Sequence, residues 1–213
     1  MLSQWDRAVV EALQHAHWGP ADWVFELLSD WWVKSLVIIG IGLAADLWRR
    51  RLPVATLLST ASYLAAGGIA EGLKRVFDRP RPSLVDLAVH PLVAVPHSYA
   101  MPSGHAATAF GAAVAVGLVH PRLRWPLVAL AALIGVSRVW LGVHYLSDVL
   151  VGAALGTAVA FALWLLTRAF VPASSAGGAA WRARRSENPR VRSESLVARD
   201  EGLRGGRDRK LPR

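Results

Sequence analysis

The sequence predicts an all-α fold, an integral membrane helical bundle of five to six transmembrane helices with an amphipathic N-terminal segment. Three observations predict it. Of 213 residues, 54% are hydrophobic and 18% charged. The apolar residues gather into blocks of about 17 to 22, the length that crosses a ~30 Å hydrocarbon core at 1.5 Å per residue. Between the blocks lie short arginine-bearing turns and one proline-rich stretch. The chain has no cysteine, which excludes a disulfide-stapled module and a thiolate metal site.

Residues 1–29 space Trp5, Val9, Val10, Leu13, Trp23, Val24, Leu27 and Leu28 among Asp6, Arg7, Glu11, Asp22 and Glu26. That is an interfacial pattern, although an ordinary packed helix fits the same spacing. It lacks the basic start and unbroken apolar run of a signal peptide. We therefore expect it to be retained as one or two short helices broken near Gly19-Pro20. The first span covers 31–48 and is closed by Arg49, Arg50 and Arg51. A second begins at Pro53, a residue suited to a helix's first turn, and reaches Lys74. Five prolines and several charges make 75–102 a loop. Three more helices are expected at about 104–119, 125–145 and 147–170. From 171 onward Pro, Ser, Gly and Arg predict a disordered tail. The domains are thus an amphipathic segment (1–29), a membrane domain (30–172) and a basic cytoplasmic tail (173–213).

The formal net charge is +9, of which +6 lies in the last forty residues. No groove-reading motif accompanies it, so no nucleic-acid partner is expected. The tail's expected partners are anionic membrane lipids, each basic residue contributing up to about 1 kcal/mol. Arg49 to Arg51, Arg122, Arg124 and the tail fall on one side of a five-span bundle. By the positive-inside rule that side is cytoplasmic, making the protein a multi-pass component of the plasma membrane. If 1–29 does not cross, the N-terminus lies outside; if it crosses, there are six spans. Gly68-x-x-x-Gly72 and Gly152-x-x-x-Gly156 permit close helix packing within the monomer, and the oligomeric state stays open.

The outer face collects the chemistry. Lys74, Arg75, Arg79 and Arg81 lie there against the charge rule, which marks a specific task. Pro102-Ser103-Gly104-His105 opens the third helix, presenting free backbone N–H groups to an anion. Arg138 sits near the outer end of the fourth helix, where an ionisable residue is a functional candidate. His144 and Asp148 flank the start of the fifth. Taken singly, Lys74 is a snorkelling lysine, Ser103 an N-cap and His144 with Asp148 a capping pair. Together, three cations, a helix N-terminus and two histidines describe a phosphate site. No His-x-x-x-His or carboxylate cluster offers a cation site, so no metal or other cofactor is expected, and activity should persist in chelator.

KRVFDRPRP (74–82), PSGH (102–105) and SRVWLGVHYLSD (137–148) resemble, in order and spacing, the three signature motifs of the type 2 phosphatidic acid phosphatase family. With their helices they cover roughly 31–170. The family's metal-independent site is shared with vanadium haloperoxidases. The resemblance implies that His144 attacks phosphorus and forms a phosphohistidine while Asp148 accepts the other ring N–H. It implies that His105 protonates the leaving oxygen and later accepts a proton from water. Lys74, Arg81, Ser103, Gly104 and Arg138 are implied to hold the phosphate oxygens. Asp148 is expected to favour charge on His144 in the free enzyme, giving a bell-shaped pH profile.

The implied substrate is a lipid phosphate or diphosphate, undecaprenyl diphosphate-like, hydrolysed at the extracytoplasmic face. Phosphatidylglycerophosphate or phosphatidate hydrolysis, vanadate-dependent haloperoxidation, and a non-catalytic lipid-phosphate carrier or scaffold are the alternative readings. Arg75 and Arg79 fall outside the motif positions and are expected to meet a second phosphate or anionic headgroups. His90, His97 and Tyr99, in the 83–101 loop, are expected to select the substrate.

Overall fold

A computed structural model describes residues 4–49, 52–86 and 88–170. Arg50, Arg51 and the expected tail at 173–213 lie outside the described residues. Among the described residues eight α-helices follow in order: α1 (Gln4–His15), α2 (Gly19–Ser29), α3 (Trp31–Trp48), α4 (Val54–Phe77), α5 (Pro82–Val85), α6 (Gly104–Val119), α7 (Arg124–Trp140) and α8 (Leu146–Phe170). A short 3-10 turn at Pro121–Leu123 joins α6 to α7. Among the described residues no strand occurs. Two segments, Pro121–Trp140 and Leu146–Ala169, are long and apolar enough to cross a membrane. The 16 residues of α6 are short for a crossing, and α4 dilutes its apolar content with Ser, Thr and Gly before ending on Glu71, Lys74 and Arg75.

Small side chains place α6 at the centre. Ten of its sixteen residues are buried, mostly Ala and Gly, so α3, α4 and α7 all approach it. Gly152 and Gly156 of α8 complete the packing. A Cβ on Gly152 would strike the Ser103 carbonyl and one on Gly156 the Ala107 carbonyl, so the pair works within one chain as expected. Gly68 and Gly72 behave differently. Neither has a neighbour within 4 Å of an added Cβ, so this second pair packs no described helix.

The N-terminal segment forms two helices, with Pro20 in the first turn of α2. Val10 is 1% exposed and joins Val89, Val139, Tyr145 and Val149 in a core cluster. Trp5, Trp18 and Trp23 stay exposed. The segment thus packs on one face and leaves aromatic side chains on the other. Both helices are fastened to the end of α7: from α1, Gln14 Nε2 donates to the Trp140 carbonyl at 3.3 Å; from α2, Asp22 Oδ1 accepts from Trp140 Nε1 at 2.7 Å and the Phe25 ring lies 4.9 Å from the Trp140 ring. At the other end of the bundle, Asp46 of α3 meets His120 Nε2 at 2.9 Å and accepts from the Thr56 N–H and hydroxyl, tying α3 to α4 and α6.

The fourth long helix was expected to run to 145 but ends at Trp140. Gly142 is the reason. Its φ of +72° is a left-handed conformation disfavoured by a Cβ, and it reverses the chain there. The N–H groups of Val143 and His144 then return to the Arg138 carbonyl, at 3.3 and 3.2 Å. This turn brings His144 beside Arg138, which a continuous helix would not do.

Candidate active site

The C-terminal ends of α4 and α7 and the N-terminal ends of α6 and α8 meet at one end of the bundle. Asp78 closes α4 in a left-handed conformation (φ 45°), its N–H bonded to the Lys74 carbonyl at 3.0 Å, and the chain turns inward. Ser103 N–H donates to the Asp148 carbonyl at 2.9 Å, joining the starts of α6 and α8.

Arg81 is 1% exposed and spends its fork on the surrounding loops. Its Nε donates to the Ser98 carbonyl and its Nη1 to the Val143 carbonyl, each at 2.8 Å, and Nη1 lies 3.2 Å from His144 Nε2. Lys74 is buried rather than snorkelling: Nζ reaches Glu71 Oε2 at 2.7 Å and Ser98 Oγ at 3.0 Å. Ser98 therefore bridges the two cations, a role nothing in its local sequence signals.

Arg138 and Ser103 are buried as well, and each carries a polar atom without a protein partner among the described residues, Arg138 Nε and Ser103 Oγ. Ser103 occupies the N-cap of α6, yet its hydroxyl makes no capping bond. Buried donors left unpaired cost about 1–3 kcal/mol apiece. Beside Lys74 and Arg81 they leave donors available to an anion.

His144 is fully enclosed. A guanidinium can only donate, so Nε2 beside Arg81 presents its lone pair and Nδ1 holds the hydrogen. Nδ1 lies 3.5 Å from Asp148 Oδ2. Burial, followed by the charges of Arg81, Arg138 and Lys74, holds the His144 pKa well below the 6.5 of a solvated imidazole. This corrects the expectation that Asp148 favours charge on the ring. Desolvation and three nearby cations outweigh one carboxylate that is itself engaged by Arg79.

His105, in the first turn of α6, borders two clefts. One, of about 420 Å³, runs between α4 and α6 from Lys74 and Gly104 past Gly67 and Gly68 to Leu64. The other, of about 330 Å³, includes Arg138 together with Glu26, Ser29 and Asp30 of the N-terminal segment. All eight sequence-predicted site residues thus fall at this end of the bundle. No three His, Asp or Glu side chains gather to hold a metal ion among the described residues.

A further expectation is corrected. Arg79 does not face a substrate: its Nη1 donates to Asp148 Oδ1 at 2.6 Å and its Nη2 to Asp6 Oδ2 at 2.7 Å. His90, His97 and Tyr99 are exposed, as is Arg75; from the same loop Val93 and Ala94 line the cleft that holds His105 and Arg138, and the Ser98 hydroxyl with the Ser98 and Tyr99 carbonyls meets Lys74 and Arg81. Asp6, Ser98, Gly142 and Ser147 were not singled out from sequence.

The central helix of the bundle thus starts beside three buried cations and a buried histidine, at the positions that the sequence motifs pointed to. Residues 55–172 match the PAP2 superfamily, and the chain belongs to it. A decaprenylphosphoryl-5-phosphoribose phosphatase of Mycobacterium tuberculosis is 38% identical over 128 residues, covering 58% of this chain and 66% of that protein. An undecaprenyl-diphosphatase of Bacillus subtilis is 37% identical over 75 residues, 35% of this chain and 38% of its own length. The chain thus spans just under two thirds of the first relative and much less of the second. The crystal structure of a transmembrane PAP2-type phosphatidylglycerolphosphate phosphatase from Bacillus subtilis shares the fold, with a TM-score of 0.64 at 24% identity, over 79% of this chain and 87% of that one.

Proposed function

We propose that the protein is a membrane phosphohydrolase that removes phosphate from a lipid phosphate or diphosphate, a polyprenyl-linked phosphate foremost. One observation carries the reading: Arg81, Arg138 and Lys74 surround a neutral His144, beside two buried donors, Arg138 Nε and Ser103 Oγ, without a partner among the described residues. The names of the relatives point to the lipid class.

His144 Nε2 attacks phosphorus, the bond from phosphorus to the departing oxygen breaks, and His105 protonates that oxygen. Asp148 holds the Nδ1 hydrogen as the ring becomes cationic. His105 then takes a proton from water, whose oxygen displaces the ring nitrogen and releases inorganic phosphate. Lys74, Arg81 and Arg138, with the Ser103 hydroxyl and Gly104 N–H, hold the equatorial oxygens as charge grows on them, each donor contributing about 10²-fold. The lipid chain follows the cleft along Leu64, Gly67 and Gly68 toward the bilayer. In this reading α3, α4, α6, α7 and α8 cross the membrane, Arg49, Arg122 and Arg124 lie at the cytoplasmic end and the site opens on the extracytoplasmic side.

The test is phosphate release by detergent-purified protein, in EDTA, from polyprenyl-phosphoryl-phosphoribose, undecaprenyl diphosphate, phosphatidylglycerophosphate and phosphatidate, beside His144→Ala. Release from at least one, abolished in the variant, supports the reading and identifies the substrate class. A folded protein that releases phosphate from none refutes it.

A further inference from the structure

The N-terminal helix delivers a carboxylate to the other side of Asp148. Asp6, on α1, is 1% exposed although its helix leaves most neighbouring residues in the open. Its Oδ1 accepts the Ser147 N–H at 3.0 Å. Its Oδ2 accepts Arg79 Nη2 at 2.7 Å and the Ser147 hydroxyl at 2.6 Å. Arg79 Nη1 donates to Asp148 Oδ1 at 2.6 Å and to Ser147 Oγ at 2.6 Å, and the guanidinium lies 4.3 Å above the Tyr145 ring. The remaining Asp148 oxygen, Oδ2, accepts the Tyr145 N–H at 2.9 Å and faces His144 Nδ1.

We infer that Asp6 is a positioning residue for the reaction, acting on His144 through Arg79 and Asp148. The inference rests on the phosphatase reading and goes beyond the three motifs, since Asp6 lies outside the family match and Arg79 outside the motif positions. Two arguments support it. The first is charge. Arg79 and Asp148 alone form a neutral pair, in which the guanidinium draws the carboxylate's charge away from the ring. With Asp6 sharing the same guanidinium, the three groups carry a net charge of −1, and Asp148 keeps negative charge to offset the imidazolium formed when Nε2 bonds to phosphorus. In a buried site such networks act as a unit. The second is geometry. Asp6 bonds both the N–H and the hydroxyl of Ser147, so it anchors the first turn of α8 between His144 and Asp148.

The experiment compares kcat and KM of full-length Asp6→Asn with wild type on the best lipid phosphate, and repeats the substitution in an Asp148→Asn background. Val10→Ala, which weakens α1 docking and removes none of the network's charged or hydrogen-bonding groups, is the control. The expected result is a kcat about tenfold or more below wild type with KM within about twofold, no further loss in the Asp148→Asn background, and near-normal kcat for Val10→Ala. If Asp6→Asn does not accumulate, Arg79→Lys serves, because an ammonium lacks the fixed planar fork with which the guanidinium holds both carboxylates in place, and the same loss of kcat is expected. Wild-type kcat in Asp6→Asn or Arg79→Lys overturns the inference. So does an undiminished Asp6→Asn effect without Asp148, or an equal loss in Val10→Ala, which would reduce Asp6 to a docking contact. Any of these leaves the phosphatase reading standing as long as wild type turns over and His144→Ala does not; a wild type without turnover removes both.

Discussion

Ser103→Ala separates binding from folding by the sign of its effects. A serine that caps a helix satisfies an otherwise orphaned N–H, and replacing it with alanine costs about 0.5–2 kcal/mol. Ser103 stands at the N-cap of α6 but makes no such bond, and its hydroxyl is buried without a described partner. An unsatisfied buried hydroxyl costs about 1–3 kcal/mol, part of which alanine recovers, offset by the small void it leaves. Stability should therefore stay level or rise by about 1 kcal/mol, an upward shift in the thermal midpoint of about 2–4 °C for a chain of this size. Activity should move the other way: loss of one preorganised oxyanion donor lowers kcat by about 10²-fold, near 3 kcal/mol. Thermal unfolding in detergent and phosphate release on the same preparation measure both. A lowered midpoint with unchanged kcat would show Ser103 to be a capping residue and refute the reasoning.

Gly68→Leu has open space around it, so folding should be unaffected, while the new side chain blocks the cleft between α4 and α6. KM for long-chain lipid phosphates should rise about tenfold and that for short, soluble phosphates should not, as paired steady-state assays would show. Gly156→Ala drives a Cβ into the Ala107 carbonyl and should destabilise by about 1–3 kcal/mol or more, measured as a lower unfolding midpoint. His144, held neutral when folded, gives a pH dependence of defined sign. Below about 6.5 the unfolded chain takes up a proton that the folded ring refuses, so stability falls as pH drops from 6.5 toward the depressed folded value. His144→Gln should flatten that slope, and an unchanged slope would show the ring to be titrating normally.

The residues gathered at the candidate site were legible because each sits on a local signal. Ser103-Gly104 opens a helix, Lys74 and Arg138 sit near the ends of apolar helices, and His144 and Asp148 are one turn apart. Less legible was the end of α7, since 139–143 stay apolar across it and only the left-handed backbone at Gly142 breaks the helix. Asp6 could not be read at all. In the sequence it is one acidic residue on an amphipathic helix, indistinguishable from Glu11 or Asp22. Its partners Arg79 and Ser147 are 73 and 141 positions away.

The sequence by itself determined the helices, the apolar bundle and the chemical types gathered at one end of it, because helix periodicity, proline breaks and helix-terminal motifs act over a few residues. Tertiary structure decided which charges meet. Arg79 turns inward to two buried carboxylates rather than outward to a substrate, and Ser98 bridges Lys74 and Arg81. His144 is neutral because burial and three cations from distant segments outweigh Asp148. Charge interactions and desolvation depend on distance and enclosure in space, and those are set only when the helices pack.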